Sequence, residues 1–331
     1  MGLNCLPVAY VSGDSAEFIN SHIQSWELVD SSGWVSDQLT LVLAGDLSGA
    51  PSVDSELRFF VGYRGSPVVD KGRFIITKVT QSLLPKSVTI VATAAAFKVA
   101  DASAFRLRRS VSYENISLGD LFRQLVSRHG YKARVAPDLN TIMLNHVDQS
   151  NETDMSFLTR MAKQFDAVAK PVDGIYVLAR RGQVKNFSGQ SLSPVAISLS
   201  AQGQSSLINV RSDVSGRTKF KGVVVSWFDA IVGEQKQVKI GSSPFKQVRK
   251  QYDSAEIAKT VAEAGLRKLV RTGVSLSLEL PGNPLLSAEG LIELDGSVPA
   301  HMRGVWSVDK VVSQGSRSGA YLCTVSVTSP I

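Results

Sequence analysis

Cysteine is scarce: the 331 residues hold two, Cys5 and Cys323. Two cannot build a disulfide framework or a cysteine zinc site. They suit a chain that folds in a reducing cytosol, and both read as small core hydrophobes. Long apolar runs are also missing. The most apolar stretch, Val88–Phe97, is of strand length and stops at Lys98, so no transmembrane helix is expected. No basic region precedes an apolar core at the start, so no secretory signal is read there. The Asn-X-Ser/Thr triplets at Asn115, Asn151 and Asn186 then read as chance rather than glycan sites.

Cations are absent from the beginning of the chain. No Lys or Arg precedes Arg58, while the first 57 residues carry eight acids. The overall charge is nevertheless +7, because Lys236–Arg271 alone holds nine basic residues against three acidic ones. Such asymmetry fits either a nucleic-acid surface or two protein surfaces built to meet.

Catalytic motifs are lacking too. The four histidines, His22, His129, His146 and His301, are scattered without a His-x-x-x-His pair. There is no phosphate-binding glycine loop, no dinucleotide fingerprint and no Gly-x-Ser-x-Gly elbow. His129, at a predicted helix end, reads as a cap contact. The acids Glu152 and Asp154 sit at a helix start, where the dipole accounts for them better than glycosidase chemistry does.

What is present is strand periodicity. Leu39–Leu43, Leu57–Tyr63, Gly72–Val79 and Ser87–Ala95 are short apolar-rich runs separated by Gly, Pro, Ser and Asp. Regular short strands of this kind predict a sandwich or barrel over residues 1–104. Asp14–Ile23 is compatible with a short helix or with a strand entry.

Residues 105–185 read as a small α+β domain. Ser117 and Asp120 form a capping box ahead of Leu118, Leu121, Phe122, Leu125 and Val126, one face of a helix that ends at Gly130. Tyr131–Val135 reads as a strand, Pro137–Asn140 as a turn and Thr141–Val147 as extended. Thr153 caps a second helix with Met155, Leu158, Met161, Ala162 and Phe165 inward. Asp173-Gly174 predicts a hairpin turn.

Residues 186–331 begin with a Ser-, Gly- and Gln-rich connection to about residue 215. Strands resume at Phe220–Trp227. Ser254–Thr272 predicts a helix with Ala258, Val261, Ala262, Leu266, Leu269 and Val270 on one side. Further strands follow at Val274–Leu280, Gly290–Asp295, Val305–Val312 and Ala320–Thr328.

The end of the chain echoes its beginning. Gly72–Val79 and Gly304–Val311 share Gly-x-aromatic-x-aliphatic-x-Lys-Val. Each is preceded by a strand ending near a glycine and followed by an alternating strand. The echo predicts two related β barrels flanking the α+β domain, with Phe74, Trp227 and Trp306 in barrel cores. A homotrimer of such a chain presents six similar barrels, a ring able to dock on a six-fold assembly while staying three-fold at the other end. The acidic first barrel and the basic part of the second would then alternate and attract.

Two basic clusters, Arg106, Arg108 and Arg109, and Lys246, Arg249 and Lys250, are candidate contacts. With Phe245 and Tyr252 nearby they could bind single-stranded nucleic acid. A solvated face or a protein interface is the preferred reading, since a nucleic-acid binder does not ordinarily begin with so acidic a segment.

Several segments carry a family resemblance. Ser112–Leu121, His129-Gly130-Tyr131 and Val147–Leu158, with Arg160-Met161-Ala162 after them, resemble the phage late control gene D family. So do Leu280–Pro284, Gly304–Val311 and Gly319–Thr324 near the end. Thr153, Ser297 and Val312-Ser313 depart from its usual residues. The resemblance implies a mainly β fold of two tail-tube-like barrels flanking a small α+β domain. It implies a structural baseplate hub of a contractile tail or tail-like particle, related to the hub part of type VI secretion spike proteins. No enzyme activity and no cofactor are implied. The implied partners are two further copies in a homotrimer, tail tube proteins, the trimeric spike, other baseplate proteins and the tape measure protein, without stable membrane insertion. The place implied is the tail baseplate of the particle, assembled in the host cytoplasm. A hub-associated cell-wall hydrolase and a nucleic-acid-binding β-barrel protein stand as alternatives.

Overall fold

The computed structural model describes residues 6–33, 36–45, 51–94, 107–172, 175–182, 193–199, 207–214 and 220–330. Cys5, Arg106, Asn186, the Asp173-Gly174 turn and most of the expected connection lie outside the described residues.

The first part of the chain forms β1 (Pro7–Gly13), α1 (Ala16–His22), β2 (Ile23–Ser31), β3 (Gln38–Ala44), β4 (Glu56–Tyr63), β5 (Val69–Leu83) and β6 (Lys86–Thr93). The undecided segment is therefore helical at Ala16–His22. Its Asn20 amide both donates to and accepts from the Val11 backbone at 2.8 Å, and its Ile19 is buried. The middle holds β7 (Arg108–Ser117), α2 (Leu118–Ser127), β8 (Lys132–Val135), α3 (Pro137–Asn140), β9 (Met143–Thr153), α4 (Asp154–Gln164), β10 (Ala167–Val172) and β11 (Ile175–Arg180). Then come β12 (Val195–Ile197), β13 (Asn209–Val214), β14 (Gly222–Asp229), β15 (Glu234–Gly241), β16 (Phe245–Tyr252) and α5 (Ala255–Arg271). The chain ends with β17 (Val274–Pro281), β18 (Leu291–Leu294), β19 (Gly304–Ser316) and β20 (Leu322–Thr328).

Local chemistry explains the helix starts. Ser117, Thr153 and Ser254 hold extended backbone, and each side-chain oxygen accepts from the N–H three residues on, those of Asp120, Ser156 and Ile257.

One large sheet of 12 strands dominates the molecule. Its first half runs β1-β4-β5-β6-β3-β2 and its second β12-β18-β19-β20-β17-β13. Matching strands occupy matching places, and the halves join where β2 pairs antiparallel with β19. The correspondence is detailed. Gly72 and Gly304 both take positive φ, 98° and 103°. Five residues later each strand bulges, skipping Thr77 in β5 and Asp309 in β19. In β3, Leu39, Leu41 and Leu43 face inward; in β17, Leu276, Leu278 and Leu280 do the same. One difference is that β1 runs antiparallel to β4 while β12 runs parallel to β18.

The expected pair of closed barrels is therefore corrected. Among the described residues neither half closes on itself, because β2 spends its second edge on β19 and continues the sheet into the other half. Phe74 and Trp306 are buried in the single core that spans both halves.

A second core belongs to the middle of the chain. It gathers Leu121, Phe122, Phe157 and Tyr176 with Val223, Val225, Ile257 and Val261. The sheet β15-β14-β16 and α5 thus pack on the α+β core. Trp227, expected in a barrel, is half-buried against this second core. The basic segment Lys236–Arg271 falls on the same body, not on the second half of the large sheet. The α5 face is also rotated from expectation: Val270 is exposed and Arg271 is buried.

Candidate functional site

Two ionic clusters fasten the middle body to the large sheet. Lys170, on β10, places its Nζ 3.6 Å from Glu289, 3.8 Å from Asp30 and 4.0 Å from Asp37. Burial by itself lowers an ammonium pKa, but Glu289, Asp37 and Asp30 outweigh it and hold Lys170 above its ordinary value. Asp37 is pushed up to about 7, first by burial and then by the neighbouring Asp30. Its carboxylate also accepts from the Ser31 N–H at 3.1 Å.

The second cluster centres on Asp309, the residue bulged out of β19. The bulge aims its carboxylate at the middle body. Arg181 donates to Asp309 at 2.9 Å and to the Ser32 hydroxyl at 2.7 Å. Arg271 lies 3.7 Å from Asp309 and donates to Asp166 at 2.7 Å. Burial raises the Asp166 carboxyl above its usual range even against the pull of Arg271. In the first half the bulged residue is Thr77, which carries no charge, so the Asp309 contact has no counterpart at the first-half bulge.

The candidate arginines contribute to their own fold. Arg108 donates to the Asn151 carbonyl at 3.1 Å. The Arg109 Nε lies 3.6 Å from Asp154, which is fully buried. Asp154 also meets His129 at 2.8 Å and accepts from the Gln149 amide at 2.8 Å. His129 therefore contacts the start of α4 and does not cap α2. Lys246, Arg249 and Lys250 share β16 and are exposed. Lys250 borders a cleft of about 260 Å³, also lined by His146, Asp148, Arg160 and Tyr252. Burial and then Arg160 lower the Lys250 pKa. Arg160 in this cleft donates to the Glu152 carboxylate at 2.8 Å and to the Asp148 carbonyl. The structure thus brings Arg108 and Arg109 onto the same body as the β16 cluster without merging them; Arg106 lies outside the described residues.

Two sheet edges without a partner strand among the described residues went unread in the sequence. One is β5 beyond Ile76, where β4 no longer pairs with it; the other is the outer side of β13. The signal was the apolar pair Leu83-Leu84 beside Pro85, which leaves Leu83 67% and Leu84 94% exposed. Among the described residues no helix is long and apolar enough to cross a membrane.

This doubled sheet with a docked middle body has known counterparts. The probable baseplate hub protein of Escherichia phage P2 is 29% identical over 218 residues, 65% of this chain and 54% of that protein. Its counterpart in Escherichia phage 186 is 26% identical over 219 residues, with the same shares. Over about two thirds of its length the chain is thus similar to phage baseplate hub proteins. Its match spans about half the length of these hub relatives. No family model matches the chain.

Solved structures share the fold. A 43 kDa tail protein of prophage MuSo2 from Shewanella oneidensis superimposes with a TM-score of 0.67 at 14% identity, covering 98% of both chains. An E. coli type VI secretion component, described as structurally similar to T4 tail proteins, gives 0.57 at 13% identity. That likeness covers 94% of this chain and 74% of the other.

Proposed function

We propose that the chain is a structural baseplate hub protein of a contractile phage tail or tail-like particle. Three copies form a ring that adapts the six-fold tail tube to the three-fold spike. The observation that carries this reading is the repeat itself: one six-strand order occurs twice in one chain, down to the bulge after Gly72 and Gly304. A chain with two like modules gives a trimer six like positions, which resolves the mismatch of symmetries. Each half of the large sheet serves as a tube-like module, and the ionic clusters around Lys170 and Asp309 hold the middle body against them.

In this role the protein is a component of the tail baseplate, and its work is positioning and force transmission rather than catalysis. Tube proteins, spike, other baseplate proteins and the tape measure protein are its partners. Lys246, Arg249 and Lys250, exposed on one strand, serve as contacts to one of them.

The decisive experiment is mass measurement of the purified protein, alone and mixed with its spike. A trimer, or a three-to-three complex, is the expected result. A monomer that persists with spike present overturns the reading.

A further inference from the structure

The repeat also predicts where one copy meets the next. Within the chain, the halves are joined by β2 and β19 in the register Asp30↔Val311, Val29↔Val312, Leu28↔Ser313, Glu27↔Gln314, Trp26↔Gly315 and Ser25↔Ser316. The repeat equates β19 with β5 through Gly304 and Gly72. It equates β2 with β13 through their pairing to β3 and β17, where Trp26↔Leu41 corresponds to Val210↔Leu278. The counterpart of the internal seam is thus β13 paired with β5. Within one chain these strands stand far apart in the sheet order, and among the described residues neither of the edges concerned has a partner strand.

We infer that β13 of one copy pairs antiparallel with the open edge of β5 in the next copy. The transferred register is Thr80↔Asp213, Gln81↔Ser212, Ser82↔Arg211, Leu83↔Val210 and Leu84↔Asn209. The inference rests on the hub reading and deepens it by naming the surface through which copies of this chain join.

Three features support this seam. The first is exposure. Val311 and Ser313, covered by β2, are both 2% exposed, whereas their counterparts on β5, Val79 and Gln81, are half-buried and exposed, and Leu83, the last residue of the strand, and Leu84, in the turn after it, lie open to solvent. An unpaired edge ending in an exposed leucine, with a second in the turn beyond it, invites strand addition.

The second is size complementarity. In the internal seam the large residue is on β2 and the small one on β19, Trp26 across from Gly315. A side chain at position 315 would meet the indole within 2.8 Å. In the proposed seam the sizes are exchanged, with Leu83 in the place of Gly315 and Val210 in the place of Trp26. The total volume at the pair is shared differently but still fills one layer. Ile208, 58% exposed just before β13, extends the apolar contact toward Leu84 and Pro85.

The third is an unmet hydrogen bond. The Ser212 hydroxyl is out of solvent and has no hydrogen-bond partner among the described residues. The transferred register sets Gln81 of the next copy directly opposite it. A Gln side chain supplies both donor and acceptor. Asp213 would also lie diagonal to Lys78 of the next copy, on the same face.

Because β5 and β13 are different surfaces, the contact is head-to-tail. Repetition of the step closes a ring if its rotation matches the internal one and otherwise grows a filament.

Paired cysteines test the register directly. In a Cys5→Ser background, full-length Gln81→Cys/Ser212→Cys and Thr80→Cys/Asp213→Cys are oxidised mildly and run on non-reducing gels, alone and with spike. Two adjacent pairs are used because neighbouring antiparallel pairs differ in geometry and one suits a disulfide better. Inter-chain linked dimers and trimers from at least one pair are expected, with none from either single-cysteine variant. A Gln81→Cys/Asn209→Cys control, out of register and on the opposite face, should stay unlinked. Mass measurement accompanies each sample. A trimer without cross-links, or one linked equally in the control, overturns the seam and leaves the hub reading intact. A monomer in every condition overturns both.

Discussion

The indole of Trp26 lies across Gly315 at the seam where the two halves of the large sheet meet. The register pairs the two residues directly, and a Cβ at 315 would fall 2.8 Å from the ring. Trp26 is held from its other sides by Phe59 and Tyr321, with ring centroids at 5.3 and 5.1 Å. The ring therefore has little room to retreat.

Gly315→Val should accordingly destabilise the protein by about 1–3 kcal/mol, the usual cost of overpacking a filled site. Urea unfolding followed by tryptophan fluorescence measures it. An unchanged midpoint would show that Trp26 is free to swing away and that the seam is loosely packed.

Asp37 should give the protein a pH dependence of a defined sign. In the folded chain burial and then Asp30 push its carboxyl up to about 7; unfolded, it returns to the ordinary 3.8. Between these values the folded chain keeps a proton that the unfolded chain has lost. This contribution to stability is therefore full below about pH 4 and is lost as pH rises through 7. Asp37→Asn keeps an acceptor for the Ser31 N–H and should flatten the slope over that window. Thermal melts at a series of pH values compare the two proteins; parallel curves would count against this titration.

Arg271 and Asp166 form a buried pair at 2.7 Å, the side chains being 2% and 4% exposed. Removing one partner strands the other charge, so Arg271→Ala should cost about 3–5 kcal/mol. The same change also takes a cation from beside Asp309. Denaturant unfolding of Arg271→Ala, with Arg271→Met/Asp166→Leu beside it, separates charge from packing. The double variant should recover much of the loss.

Ser254 caps α5 by accepting from the Ile257 N–H at 3.3 Å. Ser254→Ala should cost about 1 kcal/mol, and Ser254→Asp should recover it through the same acceptor and the helix dipole. Hydrogen exchange at the first turn of α5 reports the effect locally. Equal protection in all three proteins would mean that packing on the second core sets this helix end.

Much of this protein was legible in its sequence because the signals were local. Caps at Ser117 and Thr153 placed two helix starts, and apolar periodicity placed the helix beginning at Ser254. Alternation placed strands such as Leu39–Leu43, and Gly72 and Gly304 with their shared spacing disclosed the repeat. Alternation reports which face of a strand is buried; it does not report which edge finds a partner. Only the tertiary structure decided that β2 crosses to β19, so that two expected barrels became one sheet. It likewise decided that β14 to α5 pack on the middle core, taking Trp227 and the basic segment with them. It turned Arg271 inward and Val270 outward, because the buried acid Asp166, distant in sequence, awaited a cation there. The sequence by itself determined the elements and their duplication. Which edges were joined and which stayed open was settled by long-range pairing, where the free energy lies in contacts between residues far apart in the chain.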